Sequence, residues 1–246
     1  MKWKRWRLFH YRELASTNDT ARELPGWSVV LADRQTAGRG RHGRPWHSSE
    51  GGLWCSLVLP TPGSADHWRA LPLAVGLAVI HTLDSYHVRA RMRWPNDIMV
   101  EDRKLAGLLL ERFHPDHVVA GIGLNLVNDP ASEDTELLGI ATRLAAHTPS
   151  VPGRDAFLCL LLDSMAKIQE RMKDSGITDL VEEINAMWGP LPRSVTLHRG
   201  NELITGDFSG ITDSGDLILL DAENKTSIFP ASQISQLTET QNPPSS

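Results

Sequence analysis

Gly38-Arg39-Gly40-Arg41-His42-Gly43 is the stretch on which the reading of this chain turns. Three glycines in six residues open backbone conformations closed to other residues and let a ligand approach the main chain. The arginines add fixed charge and planar donor forks that match carboxylate and phosphate. The spacing fits the dinucleotide fingerprint G-x-G-x-x-G, which requires a helix directly after the glycines. The next residues are Arg44-Pro45-Trp46-His47-Ser48-Ser49-Glu50-Gly51-Gly52, a loop by composition, and then an apolar run starts at Leu53. A Rossmann site is thereby set aside. An anion cradle and a plain surface loop with solvated arginines both remain open on this segment alone.

Outward from the loop, apolar runs frame it as strands: Ser28 to Ala32 before it and Leu53 to Leu59 after it. Upstream, Leu8 to Leu14 reads as a first strand. Ser16-Thr17-Asn18-Asp19 then supplies N-cap residue types ahead of a short helix over Thr20 to Leu24, which Pro25-Gly26 ends. The same hydroxyls and amide could equally face a polar ligand.

Downstream, Pro60-Thr61-Pro62-Gly63 marks a turn and Trp68 to Leu83 a buried helix. Arg89 to Trp94 and Ile98 to Val100 read as strand segments interrupted by Trp94-Pro95-Asn96-Asp97. Glu101-Asp102-Arg103 is a hairpin turn leading into a strand from Lys104 to Glu111, with Gly107 inside it. A further strand runs from Val118 to Leu126, with Gly121 and Gly123 alternating and Asn125 near its end. Interior strand glycines often mark close approach by a ligand or another backbone.

Asn128 to Gly153 is polar, with one short helix expected over Ile140 to His147. Arg154 to Met172 carries Phe157, Leu160, Leu161, Met165 and Ile168 near helical spacing. Asp179 to Trp188 is a further helix. Gly189-Pro190-Leu191-Pro192 breaks the pattern. Short strands over 194–198, 202–211, 216–220 and 226–230 then suggest a small barrel-like module.

Composition limits the classes of function. The chain has 246 residues, 41% hydrophobic and 22% charged, enough for one large domain and a small one. A net charge of −5 gives no overall electrostatic case for nucleic-acid binding. Cys55 and Cys159 stand far apart and form neither a metal spacing nor a disulfide framework, which fits a reducing cytosol. The basic start, Met1 to Arg7, lacks an apolar signal core, and the longest apolar stretch, Leu71 to Leu83, is too short to span a bilayer.

Four polar segments now share one sheet. They are Ser16-Thr17-Asn18, Gln35 with the glycine–arginine loop, Trp94-Pro95-Asn96-Asp97, and Asp102-Arg103-Lys104-Leu105-Ala106-Gly107. In this order and at these intervals they closely resemble the biotin protein ligases, from about Leu14 through Asn125 and more weakly beyond. The resemblance implies an α+β fold: a mixed-sheet catalytic domain of the biotin/lipoate ligase superfamily, over 1–188, then a small SH3-like β-barrel over 189–237 and a disordered tail over 238–246. It implies activation of biotin by ATP to biotinyl-5′-adenylate, with Mg²⁺, and transfer of biotin to a lysine of a biotin carboxyl carrier protein.

The roles it implies map residue by residue. Lys104, Arg39 and Arg41 would carry the chemistry. Ser16, Thr17, Asn18, Gln35, Gly38, Gly40, Trp46 and Gly107, with Arg39, Arg41 and Lys104, would hold biotin. Arg41, Arg44, Asn96, Lys104 and Asn125 would meet the nucleotide, and Asp97 a metal ion. Read from the residues alone, Trp46 could be core, Asp97 could cap its turn, and Lys104 could be a solvated charge.

Two departures matter. The pattern begins by Leu14, leaving no room for the helix-turn-helix domain some members carry, so no DNA partner is expected. His42 stands where a basic residue is frequent. A cytoplasmic enzyme, monomeric or homodimeric, is expected. A lipoate or octanoate transferase of the same superfamily is the alternative.

Overall fold

The computed structural model describes residues 5–62, 68–189 and 193–239. Seven strands form one mixed sheet: β1 (Arg7–Leu14), β2 (Ser28–Gln35), β3 (Leu53–Pro60), β4 (Arg91–Arg93), β5 (Asp97–Val100), β6 (Arg103–His114) and β7 (His117–Leu124). Their order across the sheet is β1-β2-β3-β7-β6-β5-β4. The β1–β2 pair is parallel and every other ladder antiparallel. Parallel neighbours need a crossover, and the short helix α1 (Thr17–Ala21) lies within it. The β5–β6 hairpin turns at Glu101 and Asp102, both at positive φ (49° and 60°), as a two-residue hairpin turn requires.

Strand alternation decides which face meets the core. Leu53, Cys55, Leu57 and Leu59 of β3, with Val118, Ala120, Ile122 and Leu124 of β7, all point into the main apolar cluster. That face is covered by α2 (Leu71–Asp84) and α4 (Arg154–Ser175). Every residue of α2 except Pro72, His81 and Asp84 is buried; a helix apolar all round belongs in a core. Each fully buried Leu or Val there contributes roughly 1.5–3 kcal/mol. Burial deep in the same layer pushes the Cys55 thiol up to about 12. On α4 the buried stripe is Phe157, Leu161, Met165, Ile168 and Met172, flanked by Leu158 and Leu162. Leu160, placed in that stripe by its spacing, is 41% exposed.

On the opposite face α1 packs its Ala21 in a cluster with Val30, Val58 and Val119. Beyond α1 that face presents Gly121 and Gly123 of β7 and Gly107 of β6 to the open side. Gly107 and Gly123 are directly paired.

Several boundaries differ from those the sequence suggests. The first helix begins at Thr17, not Thr20, so Thr17 and Asn18 lie within its first turn. Trp68 precedes the second helix, which starts at Leu71. The helix expected over Ile140 to His147 is a single 3₁₀ turn, Leu144–Ala146. The helical turns of that region lie earlier: α3 (Pro130–Glu133) and a 3₁₀ turn over Thr135–Leu137, their free amides capped by Asp129 and Asp134. The helix expected from Asp179 is a 3₁₀ turn (Thr178–Leu180) running into α5 (Val181–Ala186).

The second sheet holds β8 (Arg193–Arg199), β9 (Glu202–Ile211), β10 (Leu217–Leu220), β11 (Thr226–Phe229) and β12 (Gln236–Glu239), all antiparallel, in the order β11-β10-β9-β8-β12. Strand β12 is not evident in the sequence, and Thr238 and Glu239, expected in the tail, lie in it. Gln236-Leu237-Thr238-Glu239 is too short and too mixed to show a period; its partner β8 defines it. Among the described residues no ladder joins β11 to β12. The Pro190-Leu191-Pro192 break and the tail from Thr240 lie outside the described residues. The second sheet packs into the same apolar cluster through Val195, Leu197, Phe208 and Leu237. Trp94 Nε1 donates to Gly215 O, and Arg91 grips Glu239 at 2.6 and 2.7 Å.

Candidate active site

The glycine-lined face opens into a cleft of about 490 Å³. Of the expected site residues, Ser16, Thr17, Asn18, Gln35, Arg39, Gly40, Arg41, Arg44, Trp46, Asn96, Asp97, Lys104, Gly107 and Asn125 all line it. Gly38 does not; it lies just behind the wall. A Cβ there would come within 2.6 Å of Trp46 O and 2.7 Å of Ser48 Oγ, so the loop folds back on itself only with glycine at this position.

One wall is a buried hydrogen-bond network. The first N–H groups of a helix have no partner within it, and that of Thr17 donates to Gln35 Oε1 at 2.8 Å. The Thr17 hydroxyl donates to the same oxygen, and Gln35 Nε2 donates to Ser48 Oγ at 2.9 Å. Ser56 Oγ lies 2.8 Å from Thr17 Oγ1 and 2.6 Å from Asn18 Oδ1. Gln35 therefore caps α1 from another strand and fixes the hydroxyl and amide groups beside the cleft.

The floor is Trp46. Its indole lies on the Gly107–Gly123 pair: a Cβ on Gly123 would fall 2.5 Å from Nε1. That Nε1 is buried without a hydrogen-bond partner. Lys104 Nζ stands 5.0 Å from the ring centroid, within cation–π range. The backbone of Lys104 is held on both sides, its N–H donating to Ile140 O and its carbonyl accepting from Thr142 N. Its ammonium reaches Asp97 Oδ1 at 2.6 Å, and Arg93 reaches Asp97 Oδ2 at 2.8 Å. Burial pushes the Asp97 carboxyl upward, but Lys104 and Arg93 outweigh it and hold the group below its ordinary value.

The three arginines of the loop each grip a different part of the chain. Arg39 forms a fork to Asp19 at 2.7 and 2.8 Å and reaches Glu111 at 3.1 and 3.2 Å. The hydrogen bond to Asp19 holds that guanidinium more firmly protonated, and the same contact lowers the Asp19 carboxyl. Arg41 crosses to the second sheet and donates to Ala231 O and Ile234 O at 2.9 and 2.8 Å. Burial lowers its pKa, though a guanidinium stays charged. Arg44 reaches Gln236 Oε1 at 3.3 Å. Asn96 Nδ2 donates to Leu108 O, and Asn125 Nδ2 to Thr142 O.

Residues that sequence reasoning misses complete the site. Asp19 and Glu111 hold Arg39, Ser48 and Ser56 hold the Gln35 network, and Arg93 shares Asp97. Ser235 to Thr238 of the second sheet wall the cleft. Only Asp19, adjoining Ser16-Thr17-Asn18, carries a sequence signal, that of a helix cap; Glu111 looks like an ordinary strand residue.

Fold and site together define an α+β protein with one polar, cation-bearing cleft on a glycine-lined sheet face. The profile of the Biotin/lipoate A/B protein ligase family matches residues 11–125. The chain is 30% identical over 236 residues to the biotin–[acetyl-CoA-carboxylase] ligase of Paracoccus denitrificans, covering 90% of this chain and 98% of that one. It is also 30% identical to the bifunctional ligase/repressor BirA of Bacillus subtilis, over 91% of this chain and 72% of that protein. Among solved structures, the biotin protein ligase of Aquifex aeolicus in complex with biotin and ATP superimposes with a TM-score of 0.84 at 28% identity, covering 95% of this chain and 99% of that one. The chain belongs to the biotin/lipoate ligase family, and within it to the biotin protein ligases.

Proposed function

We propose that this chain activates biotin with ATP and transfers it to a lysine of a biotin carrier protein, the reaction of a biotin–[acetyl-CoA-carboxylase] ligase. The observation that carries the reading is the cleft that brings together the Thr17–Gln35–Ser48 network, the Lys104 ammonium and the arginines of the loop. In the first step a biotin carboxylate oxygen attacks the α-phosphorus of ATP. The bond to the bridging oxygen of the β-phosphate breaks and pyrophosphate leaves. In the second, the neutral amine of the carrier lysine attacks the acyl carbon, AMP leaves with the bonding pair, and the amine proton is lost.

An anion attacking an anion needs cations where charge accumulates. Lys104 is assigned to the junction of acyl group and phosphate, Arg41 and Arg44 to the polyphosphate, and Asn96 and Asn125 to the nucleoside. The biotin head falls to Ser16, Thr17, Asn18 and Gln35, since a buried ureido ring needs both donors and acceptors. Trp46 supplies the apolar wall.

Lys104 and Arg93 engage the two oxygens of Asp97, and we assign it to orienting Lys104; one carboxylate beside the phosphates also suffices for the magnesium contact expected of it.

The test is pyrophosphate release from ATP with biotin, lipoate or octanoate, with and without a carrier domain. Release with biotin alone, and label on the carrier lysine when it is added, is the expected result. Release with lipoate or octanoate but not biotin would overturn the reading.

A further inference from the structure

Alternation along β6 puts Gly107, Leu109 and Glu111 on the cleft face, opposite Gly123, Gly121 and Val119 of β7. Gly107 and Leu109 line the cleft; Glu111, one step further, does not. Its carboxylate instead joins two elements that do. It accepts from Asn18 Nδ2 at 2.7 Å and from Arg39 Nη2 at 3.1 and 3.2 Å, with its side chain 26% exposed.

Each partner has a second hold elsewhere, and Glu111 is the group they share. The Asn18 amide has its oxygen beside Ser56 Oγ and its nitrogen also on Leu109 O at 3.2 Å. A Cβ at residue 121 would stand 2.4 Å from Asn18 Oδ1, so β7 leaves room for this amide only by having glycine there. Arg39 has its other edge on Asp19, whose side chain is 51% exposed. Two donors from α1 and the loop thus converge on one carboxylate, and only an ionised group with two free oxygens accepts both at full strength.

We propose that Glu111 is a positioning residue for biotin: it sets the orientation of the Asn18 amide and, through Arg39, pins the entry of the glycine–arginine loop over the biotin end of the cleft. Arg39 is then an anchor, and the work on the reacting anions rests with Lys104 and Arg41. The inference rests on the biotin-activating reading above.

The experiment is steady-state pyrophosphate release by Glu111→Gln, which keeps size but offers one oxygen and an unwanted donor. The KM for biotin rises about tenfold, the scale of one lost charge-assisted hydrogen bond. The KM for ATP and kcat at saturating biotin stay within about twofold. Tryptic cleavage after Arg41 quickens. Glu111→Asp, which keeps the carboxylate but shortens its reach to Asn18 and Arg39, gives the same biotin-only signature at about threefold, and it decides the matter if Glu111→Gln does not fold. A fall in kcat with biotin KM unchanged, as from a smaller folded fraction, overturns the proposal; so do wild-type constants in the variants. Failure of the wild-type chain to release pyrophosphate with biotin would instead overturn the functional reading.

Discussion

Removing the Lys104 ammonium is the perturbation with the most determinate outcome. Lys104, Arg93 and Asp97 form a chain of contacts at 2.6 and 2.8 Å with net charge +1. Lys104→Ala reduces that to zero at the edge of the cleft. Two unit charges 4 Å apart interact by roughly 4 kcal/mol at an effective dielectric near 20. That is the suitable regime, because the Lys104 side chain is 26% exposed. The biotin carboxylate and α-phosphate repel by the same order as they approach, so one cation is of the right size to offset the added charge of the transition state. Loss of a contact of this kind typically costs about 10²–10³ in rate.

Ground-state biotin affinity should change far less, since the ammonium meets charge that is largest in the transition state. The fold should persist: Asp97 keeps Arg93, and the lost contact with Trp46 is worth only about 0.5–1 kcal/mol. Lys104→Arg should not rescue. A planar fork would settle bidentately on Asp97 and cannot reproduce a compact ammonium. The assay is single-turnover formation of biotinyl-adenylate by rapid quench, with biotin affinity measured separately for each variant. Adenylation at the wild-type rate in both variants would refute the reasoning and make Lys104 a surface lysine.

Arg41→Ala should speed dissociation of biotinyl-adenylate more than it weakens binding of biotin alone; it should also quicken hydrogen exchange around Ala231–Ile234, whose carbonyls it holds. Equal adenylate off-rates would remove Arg41 from its assigned role. Gly38→Ala forces the loop off Trp46 O and Ser48 Oγ at a cost of about 1–3 kcal/mol in overpacking, read as a lower urea midpoint and a smaller thermal shift with biotin; an unchanged midpoint would show that the loop yields freely. Asp97 titrates below its ordinary 3.8 in the fold, so its stabilisation is complete above 3.8 and lost as pH falls through the lower folded value. The stability gap between wild type and Asp97→Asn should therefore be flat from about pH 7 to 5 and close below 3.8. A gap that persists into strong acid would count against the ion pairs.

Continuous apolar runs make β2 and β3 legible, because a strand buried on one face and half-covered on the other leaves few polar positions. The α4 stripe is legible from its period, except at Leu160, where the true stripe bends to Leu158 and Leu162. Mixed segments are harder. Gln236–Glu239 is a strand only because β8 lies beside it, which is a fact about residues some forty positions away. The same holds for the site. Lys104, Gln35 and the loop glycines stand out because their residue types are unusual in context. Glu111 and Arg93 do not, because a charged residue near a strand end is ordinary until the fold puts Arg39 or Asp97 against it.

The loop arginines show how a local pattern and its tertiary use part company. By residue type all three are anion ligands, which is what guanidinium forks in a glycine-rich loop can be. In the fold Arg39 grips the carboxylates of α1 and β6, Arg41 the carbonyls of the Ala231–Ile234 turn, and Arg44 the amide of Gln236. Their partners differ in kind. A carboxylate pair competes with an incoming anion more strongly than two neutral carbonyls and an amide oxygen do, since only the carboxylates add attraction between opposite unit charges. On the proposed reading, a phosphate arriving in the cleft draws Arg41 and Arg44 from the second sheet while Arg39 keeps the loop in place. One fixed anchor followed by two exchangeable cations lets the loop bind charge without having to be ordered anew, a saving on the order of 1–2 kcal/mol for each residue already held.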